Sequence, residues 1–472
     1  FEMKVEQIYT GCLSQGAYYI ESNGEAAIID PLRETEPYIA KAKANGVKIK
    51  YIFETHFHAD FVSGHLDLAK KTGAKIIYGP TAQTDYKVHV AKDGEKFKLG
   101  KVSIIVLHTP GHTPESSTFL LKDEKKKDYA IFSGDTLFIG DVGRPDLAQK
   151  NGKLTKEELA GWLFDSLRNK IMPLNDKVLV YPAHGAGSAC GKNMSSETWD
   201  TLGNQKKTNY ALRTDMTKKE FIKEVTDGLA SPPVYFQKNA ALNKTGYESI
   251  DTVMKRGVKA LSPRAFEVAA NETEALILDV RSKEEFVKGF IPNSIFIGLD
   301  GSFAPWVGAL IPDLQQPILI VAPRGKNKET VKRLARVGYD NSIGYLKGGF
   351  EAWKKEQREI DKIETINVKK FKKLYTKRMN ILDVRKPTEF IGEQIENSQN
   401  YPLDFINENM SEISKRKKYY MHCRSGYRST VAASILKARG FEKLVNVQGK
   451  YSDISASKIP TSDFVCPSTL KK

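Results

Sequence analysis

The sequence predicts an α/β fold, with one layered domain of alternating strands and helices followed by two copies of a smaller βα domain. Three observations carry this reading. Short apolar runs alternate with helical patterns from about residue 5 to 185, as a layered α/β domain requires. A heptapeptide, Ala275-Leu276-Ile277-Leu278-Asp279-Val280-Arg281, recurs as Met379-Asn380-Ile381-Leu382-Asp383-Val384-Arg385. The length of 472 residues exceeds what a single core supports. The expected domains are 1–250, 257–358 and 362–466.

In the first domain Ala26–Asp30, Tyr51–Phe53, Ile76–Tyr78, Val102–Leu107, Tyr129–Phe132 and Val178–Tyr181 read as strands, and Thr35–Asn45 and Thr155–Asn169 as helices. Pro232-Pro233 breaks the pattern and opens a polar connecting segment, Phe236–Arg256. Each copy of the repeat continues with an acidic helical stretch, Glu284-Glu285-Phe286 or Glu389-Phe390. An apolar strand follows, Ile318–Val321 or Tyr419–Met421, then a loop and a basic helix. Those helices close on Gly338-Tyr339 and Gly440-Phe441, with glycine at the expected C-cap. A period of ~100 residues exceeds the usual solenoid repeats, so two compact domains fit better.

Composition is that of a globular protein, 40% hydrophobic and 28% charged. No apolar run approaches the ~20 residues of a membrane span. Phe1-Glu2-Met3-Lys4 has no signal-peptide pattern, so no membrane association and a cytoplasmic location are expected. Against 57 acidic residues stand 73 Lys and Arg, a net charge of +16. The lysines are scattered, runs such as Lys125-Lys126-Lys127 and Lys415-Arg416-Lys417-Lys418 read as solvated loops or helix ends, and no nucleic-acid motif accompanies them. A positive potential that draws in small anions is the better reading. Cys12, Cys190, Cys423 and Cys466 form no CxxC pair, which argues against a disulfide framework or a zinc knuckle. Cys12 and Cys466 read as structural or incidental.

Every polar cluster of the first domain follows an apolar run. Tyr51–Phe53 leads to Thr55-His56-Phe57-His58-Ala59-Asp60, Val102–Leu107 to His108-Thr109-Pro110-Gly111-His112, Tyr129–Phe132 to Ser133-Gly134-Asp135, and Val178–Tyr181 to Pro182-Ala183-His184. Strands that deliver His, His, Asp and His from one edge of a sandwich converge them on one pocket, and a metal site is the reading that fits the set.

These motifs resemble the metallo-β-lactamase superfamily over roughly residues 4–240, which implies an αββα sandwich. Its two-metal members carry HxHxDH, whereas this chain has Phe61 in place of the last histidine. A phenyl ring cannot ligate, so the second site loses an imidazole. The chain is more similar still to the persulfide dioxygenases, through Thr55–Asp60, His108–His112, Ser133-Gly134-Asp135-Thr136-Leu137, Gly143-Arg144-Pro145-Asp146 and Tyr181-Pro182-Ala183-His184. That resemblance implies one Fe(II) per chain held by His56, His112 and Asp135. His58, Asp60 and His184 would surround and orient those ligands. Spacing alone does not exclude His58 as a ligand. Arg144 reads either as a surface arginine or as an anchor for an anionic thiol cofactor. Cys190, six residues past His184, reads as a substrate-binding residue near the pocket mouth or as a small buried one.

In the second repeat Cys423-Arg424-Ser425-Gly426-Tyr427-Arg428 lies between the strand Tyr419–Met421 and a helix over Ser429–Arg439. A thiol there faces backbone N–H groups, a helix N-terminus and two arginines, all of which favour the thiolate. The loop and the duplicated Asp-Val-Arg strands resemble rhodaneses over about residues 257–466, which implies sulfur transfer through Cys423. In the first copy Pro323 occupies the nucleophile's place and brings neither thiol nor N–H, so that copy is predicted inactive. The phosphatase pattern CxxxxxR needs one more residue before Arg428 than this loop has.

The resemblances together imply oxidation of a glutathione- or coenzyme A-type persulfide with O2 to sulfite and free thiol. Sulfur exchange between persulfide and sulfite or thiosulfate would follow at Cys423, and a homo-oligomer is the family expectation. Two rivals stand beside this: a glyoxalase II-like thioester hydrolase with two zinc ions, and a non-catalytic sulfur-relay scaffold.

Overall fold

A computed structural model describes residues 2–150 and 152–466. The chain falls into two compact units that divide between Ile250 and Asp251, with Ala335–Gly338 grouped with the first.

The first unit is built on two six-stranded sheets. One runs in the order Lys4–Thr10, Gln15–Ser22, Glu25–Ile29, Lys48–Glu54, Lys75–Tyr78, His89–Val90. The other runs Asp200–Thr201, Leu179–Pro182, Asp128–Gly134, Ser117–Lys122, Val102–His108, Lys96–Leu99. Tyr18, Phe53 and Ile77 of the first sheet meet Phe97, Phe119 and Phe132 of the second in one buried cluster, with the Phe53 and Phe119 ring centroids 4.9 Å apart. On the outer face of the first sheet, Tyr19, Ile28 and Ile52 pack with Tyr38 and Leu68 of the helices Glu36–Ala44 and His65–Thr72. On the outer face of the second, Ile131 and Val180 pack with Leu163 and Phe221 of the helices Lys156–Ser166 and Lys218–Thr226. The αββα sandwich implied by the resemblance is the observed architecture.

The six expected strands are all present, and Thr35–Asn45 and the start of Thr155–Asn169 are helical. The latter opens on a Thr155–Glu158 capping box and passes into a π-helical turn over Leu167–Ile171. Six strands went unread: Lys4–Thr10, Gln15–Ser22, His89–Val90, Lys96–Leu99, Ser117–Lys122 and Asp200–Thr201. Every residue of Gln15–Ser22 is buried, because a partner sheet covers one face and a helix the other, and so no polar alternation marks it. The segment expected to be a polar connector, Phe236–Arg256, is instead largely helical, in Tyr235–Thr245 and Ile250–Gly257. Asn239 and Asn243 are its buried polar residues, and they disguise a packed face as a linker.

The second unit holds two five-stranded parallel sheets with the same strand order. In the first copy it is Ala260–Leu261, Ser342–Leu346, Ile318–Val321, Leu276–Asp279, Ile295–Phe296. In the second it is Glu364–Asn367, Leu444–Gln448, Tyr419–His422, Asn380–Asp383, Gln399–Asn400. The repeated Asp-Val-Arg ends the same strand in each. Arg281 donates to both oxygens of buried Asp279 and to the Gly289 carbonyl. Arg385 repeats this on Asp383 and the Glu393 carbonyl. A bidentate guanidinium makes a buried carboxylate tolerable at that strand end, and this accounts for both residues recurring together.

Candidate metal centre and sulfur-transfer loop

Four strand ends deliver the first cluster. Lys48–Glu54 ends just before His56, Val102–His108 before His112, Asp128–Gly134 at Asp135, and Leu179–Pro182 before His184. His56, His112 and Asp135 are buried and bring one ligand atom each within 4.8 Å of one another. Asp135 Oδ2 lies 3.2 Å from His112 Nε2 and 3.6 Å from His56 Nε2. Two glycines allow this close approach. A Cβ on Gly143 would stand 2.0 Å from the Asp135 carbonyl and 2.9 Å from His112 Nδ1. Gly134 adopts φ +54°, and its Cβ would meet Thr55 at 2.6 Å.

The partners of the far ring nitrogens fix the tautomers. His112 Nδ1 lies 2.8 Å from the Arg144 carbonyl, which can only accept, so Nδ1 carries the proton and Nε2 offers a lone pair. The Thr55 hydroxyl donates to Asp30 Oδ2 at 2.8 Å, which leaves its oxygen to accept from His56 Nδ1 at 2.9 Å. His56 Nε2 is therefore also a lone-pair donor. Asp135 Oδ2 is buried and has no hydrogen-bond partner among the described residues. Two free imidazole lone pairs and an unpartnered carboxylate oxygen on one spot are the donor set of a divalent-metal site.

His58 does not join this triad; with Asp60 and His184 it forms a second buried group whose ligand atoms also lie within 4.8 Å of one another. Its Nε2 lies 3.0 Å from Asp30 Oδ1 and 3.6 Å from Glu54 Oε2, and Asp30, Glu54 and His58 form a separate buried group. Burial, with Asp30 adding to it, pushes the Glu54 carboxyl well above the usual range. His184 stands between two carboxylates, its Nδ1 2.7 Å from Asp135 Oδ1 and its Nε2 2.8 Å from Asp60 Oδ2. Burial alone would lower His184, but Asp135 and Asp60 outweigh it and raise it well above an ordinary histidine. Burial likewise works against ionised Asp135, and His184, charged and 2.7 Å away, outweighs it to hold the carboxyl far below its usual value. The Phe61 ring is fully buried, 4.5 Å from His58 and 6.4 Å from His184 between centroids.

Arg144 is buried rather than superficial. Its guanidinium donates to both oxygens of Asp146 at 2.7 and 2.8 Å and to the carbonyls of Ala189 and Ala230. Its charge is thus met inside the protein, and its backbone carbonyl orients His112. Cys190 is buried, with Sγ in one group with Asp135 and His184, and burial, Asp60 and Asp135 push its thiol far up. It faces the cluster as a neutral thiol.

Four residues that sequence reasoning missed hold the ligand loop. Asp30 accepts from the Thr55 N–H as well as its hydroxyl. Glu115 accepts from the Phe57 N–H at 3.0 Å. Asn243 donates to the carbonyls of His58 and Phe61 and accepts from the Ser63 N–H. Glu54 accepts from Ser63 and lies 3.3 Å from His65 Nδ1. Only Glu54, directly before the motif, carried a local signal.

In the second unit the loop after Tyr419–His422 wraps the Cys423 sulfur. Sγ is buried and accepts from the N–H of Gly426 at 3.1 Å and of Ser429 at 3.4 Å, with Ser429 Oγ at 3.7 Å. Gly426, in the left-handed region at φ +93°, turns the chain into the helix Tyr427–Ala438. Arg428 makes a two-point ion pair with Glu389 at 2.7 and 2.9 Å. Arg424 and Ser425 are exposed, and the Tyr427 hydroxyl donates to the Gly298 carbonyl at 2.7 Å. Of the two expected arginines, neither hydrogen-bonds the sulfur. Arg428 braces the loop through Glu389, and Arg424 faces solvent.

The family model for the Metallo-beta-lactamase superfamily matches residues 10–184, and that for the Rhodanese-like domain matches residues 262–356 and 367–457. Human mitochondrial persulfide dioxygenase ETHE1 is 33% identical over 162 residues, which are 34% of this chain and 59% of that protein. A probable hydroxyacylglutathione hydrolase of Schizosaccharomyces pombe is 31% identical over 189 residues, 39% of this chain and 69% of that protein. The crystal structure of a metallo-beta-lactamase from Staphylococcus aureus superposes with a TM-score of 0.63 at 32% identity, covering 73% of this chain and 98% of its own.

Proposed function

From the premise that this chain belongs to the metallo-β-lactamase superfamily and carries two rhodanese-like domains, we propose that it is a persulfide dioxygenase coupled to a sulfurtransferase. The observation that carries the reading is the buried triad His56, His112 and Asp135, with a phenyl ring where a second metal would need an imidazole. The triad would hold one Fe(II), which when bound supplies redox chemistry and coordination positions beyond its three protein ligands. Overall, a persulfide, O2 and water give a thiol, sulfite and two protons.

The chain's own groups do the rest. Thr55 and the Arg144 carbonyl keep both imidazoles in the ligating tautomer. His184 Nδ1 hydrogen-bonds Asp135 Oδ1 and so fixes the carboxylate that would ligate through Oδ2. Cys190, kept protonated, lines the pocket beside the reacting sulfur rather than attacking it. The Arg144 guanidinium, already met by Asp146, positions the loop, and thiol-carrier binding falls to other groups. At the second site the Cys423 thiolate takes the outer sulfur of a persulfide and releases its thiol. Sulfite then takes that sulfur from the Cys423 persulfide, leaving as thiosulfate and regenerating the thiolate.

A thioester hydrolase with two zincs is the second reading, favoured by the likeness to a hydroxyacylglutathione hydrolase. The deciding experiment is anaerobic purification, metal determination, and O2 uptake with glutathione or coenzyme A persulfide. The expected result is one iron per chain and persulfide-dependent O2 uptake, both lost in His112→Ala. Two zincs with thioester turnover and no O2 uptake would establish the hydrolase, and O2 uptake unchanged in His112→Ala would remove the triad from the chemistry.

A further inference from the structure

We propose that the rhodanese-like copy without a cysteine aims the catalytic loop of the copy that has one, with Lys283 and Gly301 as positioning residues. The inference rests on the reading that Cys423 is the nucleophile. Lys283 Nζ, from the helix Lys283–Lys288 of the first copy, donates to the Ser425 carbonyl at 3.0 Å. The Ser425 carbonyl and the Gly426 N–H belong to one peptide group, and a planar trans peptide points them in opposite directions. Holding the oxygen toward Lys283 therefore holds the N–H toward Cys423 Sγ, where it lies at 3.1 Å. Glycine on one side of that plane makes the plane easy to flip, so the loop needs an external restraint. A cation on the carbonyl also polarises the N–H and strengthens its bond to sulfur.

The loop's other outward carbonyls are met from within the second copy. The Arg424 carbonyl accepts from the Tyr451 N–H, and the Gly426 carbonyl from Thr430. Only the Ser425 carbonyl, among these, is met by the other copy. The next residue is anchored there too. The Tyr427 hydroxyl donates to the Gly298 carbonyl, and its ring lies so close over Gly301 that a Cβ there would stand 2.3 Å away. Two turns further along, Ser434 Oγ accepts from the N–H of Phe296 at 2.9 Å. The flexible Gly426 is thus pinned on both sides by residues of the copy that has no thiol of its own. At the position of Lys283 the second copy has Pro387, which has no amine to offer.

The test is the rate at which iodoacetamide alkylates Cys423 in the full chain, read by mass spectrometry with exposed Cys466 as the internal reference. Lys283→Met keeps the stem and removes the charge, and its side chain is partly exposed, so no core is opened. It should slow Cys423 alkylation on the order of tenfold, as loss of a charge-assisted contact implies. Lys283→Arg should stay within about twofold of the parent, because the donor is restored. Gly301→Ala should slow the reaction as Lys283→Met does, while circular dichroism and O2 uptake hold. Parent-rate alkylation in Lys283→Met, or equal slowing in Lys283→Arg, overturns the proposal. A parent protein that moves no sulfur, yet shows the Lys283→Met defect, would sink the sulfurtransferase reading and leave the positioning role standing.

Discussion

In the second rhodanese-like copy the N–H of Gly426 donates to the Cys423 sulfur, whereas in the first the corresponding N–H of Lys326 donates to the Pro323 carbonyl at 3.0 Å. The frames around these two bonds match. Thr430 closes on the Gly426 carbonyl and Thr330 on the Lys326 carbonyl, both at 2.7 Å. The brace does not match. Arg428 is paired with Glu389, while the corresponding Glu285 is folded back onto Ser282 and Lys328 stands exposed. The first copy kept the scaffold of an anion cradle, but its loop satisfies itself, and donors already used cannot serve a sulfur.

The strongest test of that contrast is chemical. Cys423→Ser should cost at least ~10³-fold in sulfur transfer, the scale on which a nucleophile's loss is felt, while O2 uptake persists and product shifts from thiosulfate to sulfite. Adding Pro323→Cys to that variant should restore nothing, because the first copy lacks the arginine brace as well as the thiol. Thiosulfate production by the double variant would break the comparison. Next in size, Arg428→Met should slow transfer by ~10- to 100-fold, in keeping with the ~1.5–3 kcal/mol of a charged hydrogen bond, and Lys328→Met should change nothing measurable. The two threonines should also part company. Thr430 accepts from Asn446 and Gln448 at 2.9 and 3.1 Å besides donating, so Thr430→Val strands buried partners and should cost ~1–3 kcal/mol. Thr330→Val loses one donor contact and should cost ~0.5–1.5 kcal/mol, with hydrogen exchange reporting each helix separately.

The smallest effect is pH dependence at Glu389. Burial opposes its ionisation, but Arg428 outweighs burial and holds the carboxyl below its ordinary 4.5. Its contribution to stability is therefore present above pH 4.5 and is lost as pH falls through the lower folded value. Glu389→Gln should remove that acid-side loss, by no more than ~1 kcal/mol for a partly exposed pair. An unchanged acid slope would show that the pair contributes nothing measurable.

Much of this was legible in the residues themselves. His56, His112, Asp135 and His184 could be found because each follows an apolar run that had to be a strand, so their meeting was dictated by layer architecture. The Asp-Val-Arg repeat was legible because its buried ion pair is local, Arg281 reaching Asp279 two positions away. What escaped was non-local. Asn243 binds carbonyls of the His58–Phe61 loop from a helix at the far end of the domain, and nothing near Asn243 in sequence marks it. Lys283 likewise reaches the Ser425 carbonyl across 142 positions of sequence.

The helix Tyr427–Ala438 carries eight consecutive buried residues, Ser429 to Leu436, where a helix packed on one side would show an alternating face. Its own sheet covers part of that surface and the strand Ile295–Phe296 of the first copy meets another part. In evolutionary terms this is a ratchet. Once a duplicate had become the second wall of that helix, its cysteine could be lost freely, but deleting the duplicate itself would leave Phe296's contact surface on the helix open to water.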